Sequence, residues 1–311
     1  MLSRRSVRVK VMQLIYAMNR DETLTKKDIV EHYWKSVDES FEMFLFKIYT
    51  IIQIARVSEE DFHKRKSKHL PSDQDKLFKP LLWQNAMIQD LAKNSKLQKR
   101  FEKHQFSSKI DQDHFKTIYY EFAKQENYIN FSAGNPNHEE ILEMLLELYR
   151  FCRSSELYNE LIEDHYPNWE ADKSLIIGAI KKVLKDLPAA DELFYETHYP
   201  DKETTETYGL FLLEKTIAED DALLQIIKPV LKNWDSERVA VIDMILLKMA
   251  VAELLYCKTI PPKVTLNEYV ELAKSYSTSK SKEFINGILD KILEELQAQG
   301  LIAKEGRGLI D

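Results

Sequence analysis

The chain has 311 residues, enough for one large or two ordinary domains with a buried core, and only 7 glycines and 9 prolines to make turns. Long stretches rich in Leu, Ile, Lys and Glu exclude a hairpin-built β protein and point to an almost wholly α-helical one. The net charge is -7, but residues 1–110 carry +8 and residues 111–311 carry -15, so the acidic total does not exclude a polyanion partner for the first third.

Ser3 is placed to N-cap a helix running to about Asn19, with Val7, Val11, Leu14, Ile15 and Met18 as one apolar stripe. The charged stretch from Arg20 to Asp28 closes it. A second amphipathic segment spans Asp38–Val57, followed by the basic run His63–His69 and Pro71. Further helices are expected over Leu81–Asn94, Lys96–His104, Asp111–Gln125 and Asn137–Glu163, with a loop at Ser132–Asn137. Asp172–Asp186 is expected to be helical and to end before Pro188, and Tyr199-Pro200-Asp201 reads as a boundary. Helical spacing returns over Thr205–Ala218, Ala222–Trp234 and Ser236–Cys257. Pro261-Pro262 interrupts it, since proline lacks the amide donor and restricts its predecessor. Thr265 and Glu268 have capping-box spacing and would restart the helix. Gly287, inside an apolar helical stretch, predicts the close approach of another helix.

At about 100° per residue, Arg4, Arg5, Arg8, Met12 and Tyr16 gather on one flank of the first apolar stripe. Arginine suits phosphate because its planar fork donates two parallel hydrogen bonds, and a tyrosine ring can stack on an unpaired base. The same residues also fit a basic helix with no ligand. The run Lys64–His69 reads as a solvated helix end and, at most, an accessory phosphate contact.

Catalytic patterns are missing. The glycines form no dinucleotide or nucleotide phosphate loop, and His138-Glu139-Glu140 lacks the second histidine of a zinc helix. Glu219-Asp220-Asp221 reads as the start of a helix, where negative charge favours the dipole. Cys152 and Cys257 begin no metal or redox spacing and read as packed thiols. No apolar run approaches the roughly 20 residues of a membrane span; the nearest, Phe41–Ile54, is broken by Glu42, Lys47 and Gln53. With no secretory signal, the expectation is a soluble, cytoplasmic, non-enzymatic protein that needs no cofactor or metal.

Two segments resemble the NusB family of transcription antitermination factors. The first is the helix with Arg4, Arg5 and Arg8 followed by Gln13 and Tyr16. The second runs from Tyr208 through Asn233-Trp234, Arg238, Asp243, Ile245-Leu246, Glu253-Leu254 and Ile260-Pro261. It continues through Lys263-Val264, Asn267-Glu268, Glu271-Leu272-Ala273-Lys274 and Phe284 to Asp290. Residues 21–199 have no counterpart in compact members. The resemblance therefore implies an all-α pair of small bundles. Residues 1–20 and 200–234 would form the first bundle, 235–311 the second with a short tail, and 21–199 a helical insertion after helix 1.

The family resemblance further implies binding of single-stranded boxA-like RNA in ribosomal RNA leader transcripts. It implies a partnership with the ribosomal protein NusE, and a place in an antitermination complex on RNA polymerase. Carried over by position, Arg4, Arg5, Arg8 and Tyr16 would face RNA, joined by Lys280, Lys282, Phe284 and Asn286, while Asp243 would face NusE. The chain departs from the family pattern at Ser277, where glycine is usual, and at Lys280, where an acid is usual. A rival reading is a helical protein-interaction scaffold with only incidental RNA binding. A NusB-like module of an RNA methyltransferase is a weaker third, because no nucleotide-binding segment follows.

Overall fold

The structure is a computed structural model and describes residues 1–167, 169–231 and 239–309. Among them there is no strand. The chain opens with α1 (Arg4–Arg20) and α2 (Lys26–Lys66). Short helices follow: α3 (Asp73–Leu77), α4 (Leu81–Gln84), α5 (Ala86–Lys93), α6 (Ser95–Lys103) and α7 (Phe106–Lys109). Next come α8 (Gln112–Phe122), α9 (Glu126–Ala133), α10 (His138–Ser154), α11 (Glu156–His165) and α12 (Lys173–Lys185). A π-helical segment, Glu203–Leu210, runs directly into α13 (Phe211–Ala218), and α14 (Asp220–Ile227), α15 (Val241–Tyr256), α16 (Pro262–Tyr276) and α17 (Ser281–Ala298) complete the order.

The helices form two compact units. One comprises Met1 with Asp38–Tyr199, the other Leu2–Val37 with Pro200–Asp311. The units divide between Tyr199 and Pro200, and at the other end the inserted unit begins at residue 38 and not at 21. The reason lies in the first turns of α2. Ile29, Tyr33 and Val37 form an i, i+4, i+8 stripe that is fully buried, and residues 26–37 belong with α1. The expected division at 234/235 lies outside the described residues.

Within the inserted unit the core is aromatic and aliphatic, with Phe44, Phe46, Phe106, Phe115, Leu145 and Ile180 all buried. Its two chain ends meet. Tyr199 Oη donates to Asp38 at 2.7 Å, and the Tyr199 and Phe41 rings lie 5.1 Å apart edge to face. Two expected long helices are broken by side-chain caps. Asn85 accepts from the Ile88 amide at 3.0 Å and divides α4 from α5; Ser155 accepts from the Tyr158 amide and divides α10 from α11. The basic run at the end of α2 is partly neutralised, Arg65 by Asp61 at 2.8 Å and Lys68 by Asp75 at 2.9 Å. His138-Glu139-Glu140 forms the first turn of α10, where Asn137 and Glu140 make a capping box.

In the other unit α15 is apolar almost all round, and a helix of that kind belongs inside a core. It packs against α1, α13, α14, α16 and α17. The tail folds back on its end, where Lys304 Nζ donates to the Cys257 carbonyl at 3.0 Å, the role a cation takes at a helix C-terminus. Both cysteines are buried and unbridged, and burial pushes each thiol up to about 12.

Two expectations about α16 and α17 fail. The helix after the prolines starts at Pro262, because proline at a first helical position loses no hydrogen bond. Thr265 and Glu268 are therefore not a capping box, and both serve the site described next. Gly287 is exposed, with open space where a Cβ would stand. The close approach occurs at Gly209 in the π-helical segment, whose missing Cβ leaves room for Tyr33 Oη and Val7 Cγ1.

Candidate RNA-binding surface

The three arginines of α1 meet different surroundings. Arg8 lies inside the fold, only 2% exposed, and is not the solvent-facing residue the sequence predicted. Its guanidinium makes a two-pronged pair with Glu253 of α15 at 2.8 and 2.7 Å and reaches Glu268 of α16 at 3.3 Å. The rings of Tyr208 and Tyr269 lie 5.4 and 5.7 Å from it. Glu253 also accepts from the hydroxyls of Tyr208 at 2.6 Å, Thr265 at 2.8 Å and Tyr269 at 3.2 Å. Burial acts to raise the Glu253 pKa, but the charge and hydrogen bonds of Arg8, with the Tyr208 and Thr265 hydroxyls, hold it below its ordinary value.

Arg5 is exposed and shares Glu268 through two bonds of 2.9 and 2.8 Å. Arg4 is half-exposed, 3.2 Å from Glu203 and 5.5 Å from the centre of the Tyr208 ring. Tyr16, about three turns further on, is half-buried. Its hydroxyl accepts from Arg20 Nε at 3.2 Å, and the Arg20 guanidinium lies 5.2 Å from the ring centre. Arg20 is thus a cation at this face that the sequence reading assigned only to the end of a helix.

A second group sits at the start of α17. Ser281 is buried and its hydroxyl donates to Asp243 of α15 at 2.7 Å. That bond pins the first turn, leaving Lys280 and Lys282 exposed on either side, with Phe284 half-buried and Asn286 exposed. Asn286 donates to Asp290 at 2.9 Å. Asp243, expected to face a partner, is only 5% exposed, and its Oδ1 has no hydrogen-bond partner. Its present work is to hold α17 in place.

The structure gathers Arg4, Arg5 and Arg8 around Glu203, Glu268 and Tyr208, and gathers Lys280, Lys282, Phe284 and Asn286 at one helix start. The two groups lean on α15 at different heights. Glu253 and Asp243 are ten residues apart, about 15 Å along the axis. Sequence reasoning missed Glu253 as the centre of the arginine cluster. The available signal was a lone carboxylate in the apolar run Ile245–Leu255, which burial would require to be paired. Among the described residues no group of three or more His, Cys, Asp or Glu could hold a metal ion, and no helix is long and apolar enough to cross a membrane.

The family model described as the NusB family matches residues 173–294. It misses α1, which the inserted residues separate from the rest of its bundle. Three relatives bear the name transcription antitermination protein NusB. That of Chloroherpeton thalassium is 51% identical over 79 residues, 25% of this chain and 37% of the relative. That of Salinibacter ruber is 42% identical over 107 residues, 34% of this chain and 67% of the relative. That of Methylacidiphilum infernorum is 35% identical over 136 residues, 44% of this chain and 87% of the relative.

Proposed function

This chain belongs to the NusB family of transcription antitermination factors, and from that premise we propose that it is a non-enzymatic adaptor binding boxA-like single-stranded RNA of ribosomal RNA leader transcripts. In this reading it acts together with NusE in an antitermination complex on elongating RNA polymerase.

The observation that carries the reading is the start of α17. Two exposed lysines, a half-buried phenylalanine and an exposed amide stand within two turns on a pinned helix start. Cations attract phosphate without regard to sequence, a ring can stack on an unpaired base, and an amide can read a base edge. Arg4, Arg5, Arg20 and Tyr16 extend the surface along α1. Arg8 contributes by holding α1 against α15 and α16. Asp243 enters through α17, whose placement any NusE contact at that end would depend on.

The test is binding of the purified protein, with and without NusE, to a boxA-like strand and a scrambled one across a salt series. Tighter binding to the boxA strand, strengthened by NusE, is the expected result. Lys280→Ala with Lys282→Ala should lower the slope of log K against log salt by about 1.4, two phosphate contacts at the single-strand value. The scaffold reading draws on the separate core of the inserted unit. Weak, sequence-blind RNA binding that vanishes near physiological salt would give that reading the function.

A further inference from the structure

The inserted unit carries a second concentration of positive charge. Residues 93–103 hold Lys93, Lys96, Lys99, Arg100 and Lys103 against the single carboxylate of Glu102. On α6, taking Lys96 as zero, Lys103, Lys99 and Arg100 fall within about 60° of it. The buried Leu97 and Phe101 lie on the other side and anchor the helix in the core. Asn94 caps it by accepting from the amides of Lys96 and Leu97. The stripe is therefore a fixed row of cations about 10 Å long between Lys96 and Lys103.

Its lysines share with Lys181, Lys182 and Lys185 of α12 exposure without a side-chain partner among the described residues, and differ in this from five other surface cations of the unit. Lys76, Lys116, Lys124, Arg150 and Lys173 each pair with a carboxylate three residues away in the chain. Lys93, Lys96, Lys99 and Lys103 are all exposed. No side-chain partner is found for any of them among the described residues, and only Arg100 is neutralised, by Glu196 at 2.9 Å. Unpaired like charges on one helix face repel one another and cost stability. A bound polyanion would reverse that cost.

We infer that this lysine stripe, with Lys93 at its head, binds the phosphate backbone of single-stranded RNA without sequence preference. Lysine presents a point charge and no planar fork, and neither Leu97 nor Phe101 is available to stack on a base, so the stripe supplies attraction and not base choice. The choice of RNA over another polyanion rests on the function proposed above. The carboxylates nearest in sequence or contact, Asp90, Glu102 and Glu196, border the stripe and limit its width, and Glu192 meets its cap Asn94 through a backbone carbonyl.

The test uses the full chain and a 30-nucleotide oligouridine strand, with the boxA-like and scrambled strands alongside. The variant Lys96→Gln/Lys99→Gln/Lys103→Gln is compared with a control, Lys116→Gln/Lys124→Gln/Lys173→Gln, that removes the same charge from paired positions. Circular dichroism confirms that both remain helical. The stripe variant is expected to lose oligouridine affinity roughly 10- to 100-fold near 0.1 M salt and to lower the salt slope by about 2, with the boxA-to-scrambled ratio unchanged. The control should bind as the parent does. An unchanged slope in the stripe variant overturns the inference, as does an equal loss in the control. Binding of polyglutamate in preference to oligouridine also overturns it, pointing to an acidic protein instead. If neither strand is preferred by the parent but the stripe variant still loses slope, the boxA reading fails and the stripe stands.

Discussion

The residue that decides most in the NusB-like unit is Glu253. A carboxylate removed from water is tolerable only when its charge and lone pairs are met, and here one guanidinium and three hydroxyls meet them. Removing the cation alone should leave that charge uncompensated. Arg8→Met is expected to cost about 3–5 kcal/mol in urea unfolding, whereas Arg8→Met with Glu253→Met should recover most of the loss. Arg5→Met, which removes a solvent-exposed partner of Glu268, should cost no more than about 1 kcal/mol. If Arg8→Met proved as mild as Arg5→Met, the buried pair would not be the brace described here. Arg4, Arg5 and Arg8 could be grouped from sequence alone, because helical spacing sets them on one flank. Which of the three is buried could not, because that depends on α15 and α16 closing over one of them.

At the scale of elements, helix existence was largely legible and helix ends were not. Apolar spacing located α1, α6, α8, α12, α13, α15 and α16. Asn85 and Ser155 ended helices inside apolar runs, since a cap competes with the backbone for the same amide. The two glycines show how little a local reading can say about packing. Both sit in helical segments, yet a Cβ at Gly209 would collide with Tyr33 and Val7, while one at Gly287 would meet nothing. Tyr33 cannot yield freely, because its hydroxyl donates to the Thr205 carbonyl at 2.6 Å. Gly209→Ala should therefore destabilise by about 1–3 kcal/mol. Gly287→Ala should stabilise by up to about 1 kcal/mol through helix propensity. Thermal unfolding of the two variants reads the contrast directly, and effects of the same sign would refute it.

For the whole molecule, two units share one chain through the 41 residues of α2, whose first part belongs to one unit and the remainder to the other. Stability in acid draws on both. In the inserted unit burial acts to raise the Glu42 pKa, but bonds from His104, Lys109 and Tyr166 hold it at about 2. Glu253 is likewise held low in the other unit. A carboxylate whose folded pKa lies below its unfolded value stabilises fully above about pH 4.5. That contribution is lost as pH falls through the folded value. Stability should accordingly decline between about pH 4.5 and pH 2. Glu42→Gln should flatten part of that decline, by about 2 kcal/mol once partial exposure of the site is allowed for. An acid limb identical in the variant would show that Glu42 does not contribute.

The sequence by itself determined the helical class, the family and the cationic character of α1 and of the α17 start. These follow from spacing, composition and the order of residues, which act locally. Tertiary structure alone decided that α2 begins inside the NusB-like unit, that Arg8 and Asp243 turn inward, and that Gly209 and not Gly287 is the close approach. It also decided which surface lysines find a carboxylate and which do not. Each of these depends on what a distant segment places opposite a residue, and burial, pairing and steric room exist only once both sides are present.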